Sequence, residues 1–130
     1  MVTDMASRFA DYLVNYPVEM VGSEPAETIF DRYHTPDYVL VNDGRTFDRA
    51  KTLAHVGPVR RNFVKHRATT SIEPHGLIAD ADRGAAHYTM HVTGIGPEPM
   101  RIEIFTLVEF AADGRVRKET SFTQTRKGEE

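Results

Sequence analysis

Residues 84–125 constrain this chain more than any other stretch, because they read as three successive β-strands joined by two short connections. The runs Gly84–Gly94, Met100–Phe110 and Arg115–Thr125 are rich in β-branched and aromatic residues. They are separated by Ile95-Gly-Pro-Glu-Pro99 and Ala111-Ala-Asp-Gly114, which read as tight connections between antiparallel strands. In the first run Tyr88, Met90 and Val92 share one face, and His87, Thr89 and His91 the other. In the second, Ile104, Thr106, Val108 and Phe110 oppose Glu103, Phe105, Leu107 and Glu109. Both faces of that strand carry large apolar side chains, so both are expected to be covered, one by a core or pocket and one by another layer or subunit.

The preceding residues supply the helices. Met5, Phe9, Tyr12, Leu13 and Tyr16 fall at helical spacing, and Pro17 is expected to end that helix. Ser23-Glu-Pro25 looks like a cap and first-turn proline for a second, short helix with Ala26, Ile29, Phe30 and Tyr33 on its buried stripe. Thr35-Pro36 stops it. Asp37–Asn42 reads as a strand, Asp43-Gly44 as a turn, and Arg45–Phe47 as its short return. Asp48 is a plausible N-cap for a third helix carrying Ala50, Leu53 and Ala54. Gly57-Pro58 is expected to kink or break it, with a further turn around Val59–Phe63. Val64–Ile72 alternates like a strand, and Pro74 suggests an edge or bulge before Leu77–Ala79. The expected class is α+β: three helices packed on one face of a curved, mainly antiparallel sheet, with a hollow between them.

At 130 residues this is one domain, residues 1–125, followed by a disordered tail, 126–130. The net charge of −3 gives no reason to expect nucleic acid as a partner. The cluster Arg60, Arg61, Lys65 and Arg67 is explained by a helix C-terminus. There is no cysteine, and no apolar run long enough to span a membrane. A cytoplasmic protein is the default expectation.

The element order, with Tyr88-Thr-Met-His-Val-Thr-Gly94 and the closing Phe110-Ala-Ala-Asp-Gly-Arg-Val116, resembles the NTF2-like superfamily, and within it the SnoaL-like polyketide-cyclase and ketosteroid-isomerase branch. The resemblance spans roughly residues 5–125. It implies a conical domain with a deep apolar cavity, commonly a homodimer through the convex sheet face, and cofactor-free chemistry on a small hydrophobic molecule. It also implies roles for individual residues. Tyr12 and Tyr33 match the isomerase's oxyanion tyrosine and its supporting tyrosine. The general-base aspartate falls near Asn42, with Asp43 one residue on, and the second oxyanion donor falls at Thr106. An amide cannot abstract a proton. The cyclase His/Asp pair falls at Val92 and Gln124, and the epoxide-hydrolase Asp-Arg-Asp arrangement is not recognisable.

Read from the residues themselves, His55 on the third helix is a candidate base, since an imidazole titrates near neutrality. It is otherwise a half-exposed helix histidine. Glu119, Ser121 and Thr123 share one face of the last strand, which faces either the hollow or solvent. Facing the hollow, Glu119 would be a buried acid or base. The expected catalytic set is therefore Tyr12, Tyr33, Asn42, Asp43, His55 and Glu119. The expected binding wall takes Tyr38 and Leu40 from the first strand, Phe63 from the third helix, and Tyr88, Met90 and Val92 from the first meander run. Ile104, Thr106 and Val108 continue it, with Ser121 and Thr123 at its end. No metal or other cofactor is expected: His87 and His91 stand about 13 Å apart along one strand, too far to share a zinc ion. His34, His66 and His75 have no usable partner spacing. These features favour an isomerase, cyclase or dehydratase acting on a hydrophobic cyclic or polyketide-like substrate. The alternative is a non-catalytic ligand-binding or dimeric accessory protein of the same fold.

Overall fold

The computed structural model describes residues 4–127. Helix α1 spans Met5–Met20, with the Asp4 carboxylate accepting from the backbone amides of Ala6 and Ser7. Expected to end at Pro17, it runs on through that residue to Met20. Proline removes one intrahelical hydrogen bond, and the added turn seats Met20 in the interior with Phe9, Tyr12 and Leu13. Helix α2, Ala26–Tyr33, starts from Pro25 rather than from a Ser23 cap, and no side chain caps it. It buries Ile29 and Phe30.

Strand β1 follows directly as His34–Asn42, three residues earlier than expected. Asp43 and Gly44 both take positive φ, 50° and 82°, the turn geometry that matches the twist of a hairpin, and lead into β2, Arg45–Asp48. The Asp48 carboxylate then accepts from the Lys51 amide at 2.8 Å and caps α3, Arg49–His66. This helix runs unbroken through Gly57-Pro58 and ends at Arg67 in the left-handed region. Residues 64–66, expected in a strand, are therefore its last turn. Their period-of-two pattern reflected a solvated surface: Val64 is exposed, and no residue of α3 is fully buried.

Strands β3 (Thr69–Ala79), β4 (Arg83–Thr93), β5 (Met100–Phe110) and β6 (Val116–Lys127) complete a six-stranded sheet of order β2-β1-β6-β5-β4-β3. The β1–β6 pairing is parallel and the others antiparallel. The sheet is therefore mixed, and α3 lies between β2 and β3 rather than with the other helices at the N-terminus. Of the expected tail, Arg126 and Lys127 belong to β6, and 128–130 lie outside the described residues.

The core lies between α1, α2 and the inner face of the sheet, where Phe9, Leu13 and Phe30 meet Tyr88, Ile104, Val108, Phe110 and Val116. Phe9 packs edge-on against Phe110 at 5.6 Å and presses on the backbone of Gly84. Val116 points inward although it has the same odd-even position as the outward Thr120 and Phe122. The β5–β6 register shifts between Glu109 and Phe110, leaving Arg117 opposite no residue and turning Val116 over. On the outer face Phe105, Leu107 and Phe122 remain 55–61% exposed, so the expected cover is not supplied by this chain. No described helix is long and apolar enough to cross a membrane.

Candidate active site

The sheet's inner face curves away from α1 and leaves a cavity of about 380 Å³. Its apolar wall is Leu13, Leu40, Tyr88, Met90, Ile102 and Ile104. Tyr12, Tyr16 and Tyr38 bring hydroxyls to one end, and β6 contributes Glu119, Ser121 and Thr123. The last strand's polar face therefore looks into the hollow, which decides the alternative left open by the sequence. The strand's unshifted pairing with β5, which sets Glu119 opposite the inward Val108, fixes that orientation.

Glu119 is only 7% exposed, and among the described residues no salt bridge joins it to a lysine or arginine. Three hydroxyl groups hold it instead. Tyr12 donates to Oε1 at 2.7 Å, Tyr38 to the same oxygen at 3.0 Å, and Thr106 to Oε2 at 2.8 Å. Burial, and then the neighbouring carboxylate, push the Tyr12 and Tyr38 phenols far above their ordinary range, so both stay protonated as donors.

The Tyr12 hydroxyl also lies 2.9 Å from Nε2 of His34, a residue the sequence reading passed over. His34 is fully buried among the rings of Phe30, Tyr16 and Tyr38. Its Nδ1 is 2.9 Å from the Phe30 carbonyl, which can only accept, so Nδ1 carries the proton and Nε2 presents a lone pair to Tyr12. Burial lowers its pKa to about 4, against a smaller opposing contribution from the Phe30 carbonyl. The sequence carried no sufficient signal for it: His34 opens β1, and its partner Tyr12 lies on α1.

The remaining expected residues divide. Asn42 lines the cavity and accepts from the Ser121 hydroxyl at 2.8 Å. Val92, Thr106 and Val108 are buried in the surrounding core, where Thr106 acts through Glu119. Four do not reach the cavity. His55 is exposed on α3 beside Phe47, on a side of the helix that does not line the cavity. Phe63, half-buried on the same helix, is not in the wall. Tyr33 turns its hydroxyl to Glu19 at 2.9 Å near the surface. Asp43 is exposed in the β1–β2 turn and binds the Thr123 hydroxyl and amide, which lower its pKa. Thr52 of α3 was not expected. It reaches the cavity wall with a buried hydroxyl that has no hydrogen-bond partner.

The arrangement can therefore store and pass a proton. Glu119, Tyr12, Tyr38, Thr106 and His34 make four contacts, but the three hydroxyls supply only three protons. With Glu119 ionised, all three point at it and the Tyr12–His34 contact has no hydrogen. With one more proton on Glu119, the acid can donate to Tyr12, and Tyr12 to His34, so that every contact is filled.

A family model described as the SnoaL-like domain matches residues 19–119. No curated protein matches the chain in sequence. Among solved structures the chain is similar to IdmH of Streptomyces antibioticus, a candidate polyketide cyclase, at 14% identity and a TM-score of 0.66, covering 94% of this chain and 93% of that one. It is also similar to SalBIII, an epoxide hydrolase/cyclase-like enzyme described in pyran ring formation in polyether salinomycin. The identity there is 16% and the TM-score 0.64, covering 92% of this chain and 90% of that one. An LEH-like epoxide hydrolase of M. tuberculosis shares 18% identity at a TM-score of 0.59, covering 92% of this chain and 80% of that one. At these identities the likeness speaks for the fold.

Proposed function

The chain belongs to the SnoaL-like domain family, and on that premise we propose that it is a cofactor-free acid/base enzyme acting on a small hydrophobic substrate. The observation that carries this reading is a buried carboxylate, Glu119, facing an apolar cavity with three hydroxyl donors and, among the described residues, no salt bridge to a lysine or arginine. The substrate class is cyclic or polyketide-like, with an enolisable carbonyl, and the reaction is an isomerisation, cyclisation or dehydration.

Glu119 removes the proton beside the carbonyl. As it becomes a neutral acid it no longer needs three donors, so Tyr38 is released to hydrogen-bond the developing enolate oxygen. Tyr12 turns its proton to His34, and Glu119 donates to Tyr12, which holds the abstracted proton in place. Returning that proton to a different carbon isomerises the substrate. Delivering it to a β-hydroxyl as that C–O bond breaks releases water, and attack by the enolate carbon on a second carbonyl of the substrate closes a ring, the proton passing to the new alkoxide. Thr52 and Asn42, at the other polar points of the wall, are suited to orient substrate oxygens. His55, Asp43 and Tyr33 have no part in this scheme. We further take residues 1–125 as one catalytic domain of a cytoplasmic homodimer joined through the outer sheet face.

The test is proton exchange. Steroid, terpenoid and aromatic polyketide ketones are screened by thermal shift, since a native-state ligand raises the melting temperature. Each hit is then followed by NMR in deuterated water. Wild-type protein should exchange the proton beside the carbonyl, and Glu119→Gln should exchange it about 10²–10⁴-fold more slowly. Hits that bind equally well to both proteins without exchange would establish a binding module instead. One feature favours that second reading: the three protein donors already satisfy Glu119 without any ligand.

A further inference from the structure

On the outer face of the sheet, away from the cavity, three adjacent strands bring two imidazoles and a carboxylate together. We infer that His75, His87 and Glu103 form a binding site for a divalent first-row transition metal of the zinc type.

The backbone makes the cluster. His87 of β4 pairs with Phe105 of β5, and Thr89 with Glu103, so Glu103 lies diagonally across from His87 on the outer face. On the other side, the β3–β4 register shifts between Pro74 and Gly76. That bulge sets both His75 and Gly76 against His87. Gly76 has no side chain, so the outer face at this point is left to the His75 ring. Bulges of this kind re-aim a side chain, and they recur beside functional sites.

The distances fit a metal. One nitrogen from each histidine and one Glu103 oxygen lie within 4.8 Å of one another. His87 Nε2 and Glu103 Oε1 are already 2.9 Å apart, and the two imidazole centroids are 4.6 Å apart. Ligands about 2.0–2.2 Å from one zinc ion stand roughly 3–3.5 Å from each other, so the site closes by a small rotation of His75. His75 now bonds the Thr89 hydroxyl at 2.6 Å, and Thr89 donates to the second Glu103 oxygen at 3.0 Å. Once His75 has turned to the metal, Thr89 still anchors the carboxylate from behind, as second-layer groups do at metal sites. Thr89 is almost fully buried, which fixes that anchor. The His87 ring stacks on Phe105 at 4.3 Å, nearly parallel, which fixes the second ligand.

Two imidazoles and a carboxylate suit zinc and its neighbours better than calcium or magnesium, which prefer all-oxygen sites. Three protein ligands leave the remaining positions to water. The ion would tie the edge strand β3 to β4 and β5. The His87–His91 pair is still too long for one metal. The partner of His87 is His75, on the neighbouring strand.

Metal-stripped wild-type protein is titrated with Co²⁺, read by visible absorption, and with Zn²⁺, read by calorimetry. The expected result is one ion per chain, a d–d spectrum, and a Zn²⁺-dependent rise in melting temperature that chelator reverses. His75→Ala and Glu103→Gln should each weaken Zn²⁺ binding at least about tenfold, while His55→Ala, an exposed histidine elsewhere, leaves it unchanged. Circular dichroism and melting without metal check that each variant is folded, and because His75 is exposed its removal spares the core. Equal affinity in wild type, His75→Ala and Glu103→Gln, or no Co²⁺ spectrum in the wild type, overturns the site and leaves the cluster as a hydrogen-bond network.

Discussion

Tyr12 Oη and His34 Nε2 meet at 2.9 Å in the protein interior, and the histidine's other nitrogen is already committed to the Phe30 carbonyl. A protonated His34 would place a charge among the rings of Phe30, Tyr16 and Tyr38, and that burial disfavours it.

This gives the fold an acid limit. Folded His34 titrates near 4 and the unfolded residue near 6.5, so between these values the unfolded chain binds the extra proton. Stability is full above about 6.5, falls as the pH drops towards 4, and flattens below. The whole effect is about 3 kcal/mol, at about 1.36 kcal/mol per pH unit. Urea denaturation at intervals from pH 7.5 to 4.5 should show this slope, and His34→Gln should remove it. An equal slope in both proteins would assign the acid limit to other groups.

Tyr12 and Tyr33, expected to work as a pair, should behave differently. Tyr12→Phe removes a buried donor to Glu119, at a cost of about 1–3 kcal/mol. Tyr33→Phe removes one surface hydrogen bond to Glu19, at a cost below about 1 kcal/mol. Urea midpoints measure both. Binding of any thermal-shift hit should be unchanged by Tyr33→Phe.

Gly84 is required by Phe9. A Cβ at this position would stand 2.8 Å from the Phe9 ring and 3.3 Å from the Ile78 carbonyl oxygen. Gly84→Ala should cost about 1–3 kcal/mol. Adding Phe9→Leu should cost less in the Gly84→Ala background than in the wild type, a coupling that a double-mutant cycle reads directly. Strictly additive losses would place the strain elsewhere.

The outer face offers Phe105, Leu107 and Phe122, each more than half exposed, as one apolar patch. Sedimentation at micromolar concentration should give a dimer for the wild type and a monomer for Leu107→Asp. A monomeric wild type would end the homodimer reading.

The sequence made the sheet's alternation, the Asp43-Gly44 turn and the apolar stripes of α1 and α2 legible, because each rests on neighbours in the chain. What it hid depends on long-range pairing. Val116 shares the odd-even position of the outward Thr120 and Phe122, and only the Arg117 bulge turns it inward, while Glu119 faces the cavity through its unshifted pairing with Val108. Val64 and His66 alternated like strand residues, and only the left-handed Arg67 shows that they end a helix. His55 looked suited to catalysis by residue type alone, and it lies on a side of α3 that does not line the cavity. His34 and His75 were passed over because their partners, Tyr12 and His87, lie on other elements.

The strand order has a consequence for synthesis. Strand β6 lies between β1 and β5, so the hairpin β1–β2 and the meander β3–β5 share no edge until β6 is available. A nascent chain that has emerged through Phe110 holds two unjoined pieces of sheet, with β1 and β5 both presenting unpaired edges. Because the joining strand also carries Glu119, the domain and its candidate catalytic carboxylate come together in the same late step. A ribosome stalled before β6 would hold an aggregation-prone intermediate, and release of that strand would complete the fold and the site together.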